Sequence, residues 1–105
     1  MGDVHLYVIA LDKAVLERKK FRERNPDYIE GKPCSYVGIT GRDPDIRYAQ
    51  HKDNYKANRY ARDFGTHLQR RHCANLGPIS WDEAEKLERE KAAALREKGW
   101  AVWQG

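Results

Sequence analysis

The sequence predicts an α/β fold, a small and largely antiparallel three-stranded sheet flanked by about three helices, and three observations predict it. The run His5-Leu6-Tyr7-Val8-Ile9-Ala10-Leu11 carries apolar, aromatic and β-branched residues at both parities, as expected of a central strand covered on both faces. Ser80 and Glu83 form a capping box in front of a long segment with helical periodicity. Strand-like and helix-like segments alternate with no internal repeat, low-complexity tract or linker, so the 105 residues read as one domain spanning 1–105.

Each element can be justified in order. Strand one covers His5 to Leu11. Asp12 can cap the next segment, Ala14 to Arg24, where Val15, Leu16 and Phe21 sit among Lys, Arg and Glu; a short surface-lying helix is expected. Asn25-Pro26-Asp27 and Gly31-Lys32-Pro33 are turn chemistry, and Cys34 to Thr40 is strand two. Asp43-Pro44 supplies a capping side chain and a proline at the first helical position, starting a helix that runs to about His51 or Lys52. Asn54 to Phe64 is expected to be helical again, ended by Gly65. Thr66 to Pro78 has no clear period and is expected to be loop or short irregular helix. Trp81 to Lys98 is the longest helix, stopped by Gly99, and Ala101-Val102-Trp103 closes the sheet as its third strand.

Composition narrows the function classes. Lys and Arg total 20 against 16 acidic residues, a formal net charge of +4 and a pI near 9.1, which suits a polyanionic partner without requiring one. The longest apolar run, Leu6 to Leu11, is far short of the roughly 20 residues that cross a bilayer, so no membrane role is expected. Cys34 and Cys73 are too few for a disulfide framework and no basic, apolar leader precedes strand one, which predicts a reduced, cytoplasmic setting. His67, His72 and Cys73 lack the paired spacing of a zinc site.

Five residues carry the chemistry. Tyr36, Gly38 and Thr40 share one face of strand two, where Gly38 leaves room for a phosphate or another backbone. Tyr7 can sit across from Tyr36 if the two strands are antiparallel neighbours. Arg47 and His51, spaced i, i+4, share a helix face about 6 Å apart and could grip one substrate, with the guanidinium holding a phosphate bidentately. Glu88 falls inside the apolar arc of its own helix: with Ala84 as zero it lies at about 40°, between Leu95 at about 20° and Ala92 at about 80°. A carboxylate facing the core calls for a cation, either Mg2+ or Mn2+ or the ammonium of Lys91 three residues on. Basic residues interleaved with aromatics, Lys52, Tyr55, Lys56, Arg59, Tyr60 and Arg62, then Arg70 and Arg71, could track a phosphate backbone or form a solvated face.

His5-Leu6-Tyr7, then Tyr36-Val37-Gly38, then Arg47 and His51, then a glutamate in a later helix: this ordered set, spanning His5 to Val102, resembles the GIY-YIG nucleases. The resemblance implies a metal-dependent endonuclease acting on nucleic acid, DNA more than RNA. It makes Tyr7 and Tyr36 the tyrosines of the two tripeptides, Arg47 and His51 the helical pair and Glu88 the metal ligand, with Glu85 an alternative. The mechanism then expected is one-metal hydrolysis. The metal on Glu88 stabilises the leaving oxygen, Arg47 binds a non-bridging oxygen, and Tyr7 or Tyr36 activates water, its pKa lowered from about 10 by Arg47 or the metal, or His51 relays the proton. The chain departs from the family in three places. His5 stands for the first glycine, the Asp12 to Pro33 connection is long, and no asparagine follows the metal-binding helix, only Gln104. The rival reading is a nucleic-acid-binding module with the same fold and no turnover. Weak sequence specificity, or targeting through a homodimer or partner protein, is expected.

Overall fold

The computed structural model describes residues 2–105. One sheet contains β1 (Val4–Leu11), β2 (Cys34–Thr40), β3 (Gly65–Leu68), β4 (Ala74–Gly77) and β5 (Ala101–Gln104). Four α-helices accompany it, α1 (Lys19–Glu23), α2 (Pro44–Lys52), α3 (Arg59–Phe64) and α4 (Trp81–Glu97), with 3-10 turns at Lys13–Glu17 and Arg70–His72. β1 is central: it pairs antiparallel with β2 on one side and with both β3 and β4 on the other, while β5 runs parallel to β2. The mixed α/β class is as the sequence predicts, with five strands and four helices in place of three and about three.

The two additional strands lie in the stretch expected to be irregular. Gly-Thr-His-Leu and Ala-Asn-Leu-Gly are too short to show alternation, and they are extended because β1 offers an open edge. The turn at Arg70–His72 separates them, and Val8 bridges the gap: its carbonyl accepts from the Gln69 N–H at 2.8 Å and its own N–H donates to the Cys73 sulfur at 3.4 Å.

Two helices differ from expectation for reasons of burial. Ala14 to Arg24 is broken at Arg18, whose backbone is extended. Val15 and Phe21 are both fully buried, and on one continuous helix residues six apart would point about 120° away from each other, so the break lets both enter the core. The Asn54 to Phe64 helix is shortened to α3, capped by the Asn58 side chain, which accepts from the N–H groups of Tyr60 and Ala61. Asn54 and Lys56 lie in the left-handed region, at φ 63° and 46°, where a helix cannot run.

The sheet divides two cores. Tyr7, Ile9, Leu11 and Tyr36 pack with Val15, Phe21, Tyr60 and Ala61 beneath α1, α2 and α3. Leu6, Val8, Val37 and Val102 pack beneath Ala92 and Leu95 of α4. Coverage on both sides explains why strand one is apolar at both parities. The outer edge of β5 is closed by side chains, since Asn25 accepts from the Val102 N–H at 2.7 Å and Arg96 donates to the Val102 carbonyl at 2.7 Å. No described helix is long and apolar enough to cross a membrane.

Candidate functional site

Strand register decides which side chains meet. Tyr7 stands opposite Gly38 and Tyr36 opposite Ile9, so the phenols are diagonal neighbours where the sequence argument placed them directly across. They share a face, with ring centroids 6.1 Å apart. Tyr7 leans over Gly38, where a Cβ would stand 2.5 Å from its hydroxyl and 2.6 Å from ring carbon Cζ. The room expected beside Gly38 for a phosphate is therefore filled by the Tyr7 ring.

His51 is fully buried, its Nε2 2.9 Å from the Tyr7 hydroxyl. Its Nδ1 accepts the Asn58 N–H at 3.1 Å, so in the neutral ring the proton sits on Nε2 and is donated to the Tyr7 oxygen. Burial, reinforced by the Arg47 charge, pushes the His51 pKa down to about 4, which keeps the ring neutral near pH 7. The i, i+4 spacing predicts a joint grip on substrate, and the structure divides the pair instead. His51 points inward and holds Tyr7, while Arg47 reaches the surface.

The Arg47 guanidinium donates to Gln50 Oε1 at 3.2 Å and to the carbonyls of Tyr55 at 3.1 Å and Lys56 at 2.8 Å, pinning the loop between α2 and α3. Its charge favours ionisation of both phenols, as expected, yet burial outweighs it and both are pushed up. Each phenol acts on the ionisation of the other, so the two do not lose their protons independently.

Glu88 is 7% exposed, in line with Ala84, Ala92 and Leu95 on the buried stripe of α4. Lys91, the competing partner, donates instead to His72 Nδ1 at 3.1 Å, and no salt bridge to Glu88 forms among the described residues. Burial first, then the neighbouring Glu85, lift the Glu88 pKa to about 7, opposed by Arg89 and by the backbone N–H of Ile39. Glu85 itself is exposed. α4 covers the sheet face away from Tyr36, but the charge of Glu88 still acts on Tyr36. Pairing of β5 with β2 ends at Val37 and Gln104, so Gly38 to Thr40 extend past it.

A cleft of about 590 Å³ opens at that end, lined by Ile39 and Arg42 of the β2 end, Arg47, Tyr55, Lys56 and Trp81 among others. Of the basic residues expected to follow a phosphate backbone, Lys56 alone stands in it. Lys52 caps α3, donating to the carbonyls of Arg62 at 2.9 Å and Gly65 at 2.8 Å. Arg62 pairs with Asp63 at 2.8 Å and with Asn54 at 3.0 Å, and Arg70 pairs with Asp45. Arg59 lines a separate cavity with Arg18, Lys19 and Lys20. Tyr60 belongs to the core. Replacing Lys52 with Met is accordingly expected to cost about 1 kcal/mol of stability in a denaturant melt while leaving nucleic-acid affinity within twofold, because what it removes is two bonds to a helix end.

Sequence reasoning did not single out Arg42 as a site residue, although Thr40-Gly41-Arg42 directly follows the tyrosine strand, nor Trp81, which it used as the start of the longest helix. No cluster of three or more His, Cys, Asp or Glu side chains suited to a metal occurs among the described residues. Comparison of the chain with family models, curated proteins and solved structures gives no match.

Proposed function

We propose that the chain is a divalent-metal-dependent endonuclease of the GIY-YIG type, hydrolysing phosphodiester bonds in nucleic acid, DNA more than RNA. The observation that carries this reading is the gathering of rings from β1, β2 and α2 in one place, the centroids of Tyr7, Tyr36 and His51 lying 5.3 to 6.1 Å apart. His51 holds Tyr7, Arg47 acts on both phenols, and Glu88 acts on Tyr36.

A buried carboxylate with a raised pKa and no salt bridge among the described residues fits Mg2+ or Mn2+, which bind through one carboxylate together with water and substrate phosphate. When bound, such an ion supplies positive charge against the departing oxygen and the crowded phosphorus. Arg47, already oriented by the carbonyls of Tyr55 and Lys56, presents its remaining N–H groups to a non-bridging oxygen. One of the two phenols, Tyr7 or Tyr36, takes the proton of the attacking water, helped by the Arg47 charge that acts on both. His51 is a positioning residue, oriented by Asn58 and donating to Tyr7. The raised pKa of both phenols favours the second reading, a binding module without turnover.

Incubation of the protein with supercoiled plasmid and Mg2+ or Mn2+ tests the proposal. Nicked and linear DNA are expected, lost in Glu88→Gln and in Arg47→Ala. Cutting that survives both substitutions refutes the site. Retention of DNA in a gel shift without cutting selects the binding module, and no retention at low salt removes both readings.

A further inference from the structure

Two large aromatic side chains share the cleft that Arg47 lines, and the core uses neither. Trp81 opens α4 and is 51% exposed; Tyr55 is 53% exposed. Single exposed aromatics are ordinary on a protein surface. Tyr55 stands in the loop between α2 and α3 and Trp81 at the start of α4, on the other side of the sheet, and both line one cavity of about 590 Å³ with Arg42, Arg47 and Lys56.

Tyr55 is held in place. Asn54 and Lys56 on either side are non-glycine residues at φ 63° and 46°, a conformation that persists only where the surroundings over-determine it. Arg47 provides that restraint through the carbonyls of residues 55 and 56. Trp81 lies two helical turns before Glu88 on the same side of α4, about 10 Å along the axis, within the reach of a nucleotide or two from a phosphate beside Glu88.

We infer that Tyr55 and Trp81 form a stacking clamp for an unpaired nucleobase, so that the preferred substrate carries an unstacked nucleotide next to the attacked phosphate: a single strand, gap or flap in place of continuous duplex. The inference rests on the nuclease reading and deepens it by naming the substrate class. Bases inside a continuous duplex have their faces covered by neighbours, so aromatic faces in the cleft gain nothing from them; an extruded base offers a free π-face whatever its sequence. Arg42 and Lys56 then take the flanking phosphates.

The test uses the Glu88→Gln protein, so that substrates stay intact, and three labelled DNAs: a single strand, a continuous duplex, and the same duplex carrying a flap. Tighter binding of the strand and flap than of the duplex is expected, with quenching of tryptophan emission that disappears in Trp81→Phe. Tyr55→Ala and Trp81→Ala are each expected to weaken strand and flap binding about 5- to 100-fold while leaving duplex binding within twofold. Both side chains are half exposed, so unchanged melting temperatures verify that the fold is kept. Equal loss on all three DNAs, or no loss on any, overturns the clamp, and plasmid cutting by the unsubstituted protein leaves the nuclease reading standing in that case. If the unsubstituted protein neither binds nor cuts any of them, the nuclease reading fails and takes the clamp with it.

Discussion

Glu88→Gln is expected to abolish divalent-ion-dependent cutting and, in the same molecule, to raise the melting temperature at pH 8. Glu88 has a pKa of about 7 in the folded protein against an ordinary 4.5, so the folded state binds its proton more tightly than the unfolded state does. Its contribution is favourable below about pH 4.5 and is lost as pH rises through 7, above which the buried charge costs about 3 kcal/mol. Glutamine keeps the shape and has no charge to bury. Thermal melts from pH 4.5 to 8.5 should therefore fall with pH more steeply for the unsubstituted protein than for the variant. Mg2+ or Mn2+ at pH 8 should restore stability to the unsubstituted protein alone, because an ion that binds only the folded state stabilises it. Identical pH profiles for the two proteins would show that the carboxylate is not the strained group. Cutting should climb through the same window, since the ionised carboxylate is the form that holds a cation.

Gly38→Ala is expected to cost about 2 kcal/mol and to remove most of the activity, although it adds only one methyl group. A Cβ at residue 38 would lie 2.5 Å from the Tyr7 hydroxyl, and Tyr7 is 1% exposed with its ring beside Tyr36 and His51. The ring cannot retreat without breaking its 2.9 Å bond to His51. Tyr7→Leu in the same background vacates the space over residue 38 and should recover part of the stability and none of the cutting. The non-additivity is read from a double-mutant cycle in denaturant melts. A Gly38→Ala protein with native stability would show that the ring does not lie there.

Much of this architecture is written in short stretches of chain. The apolar run from His5 to Leu11, the Asp43-Pro44 start of α2, whose Asp43 side chain accepts the Asp45 N–H at 2.9 Å, and the Ser80 cap of α4 are local features that act over a few residues. The arc that carries Glu88 inward is likewise a property of one helix, and Glu88 is buried as that arc requires. What could not be read there depends on partners remote in sequence. β3 and β4 are strands because the edge of β1 is open to them, and Tyr7 covers Gly38 because the β1–β2 register sets it there. His51 turns inward while Arg47 turns outward, Lys52 is drawn to the end of α3, and Trp81 stands in the cleft, each decided by which neighbours surround it once the elements pack. Capping, turn chemistry and hydrophobic period are short-range interactions, so the sequence alone determined where β1, β2, β5, α2 and α4 form and which side of α4 is buried. Strand register, desolvation and the pairing of polar groups are long-range, so only the tertiary structure decided which of the chemically capable side chains share one cleft.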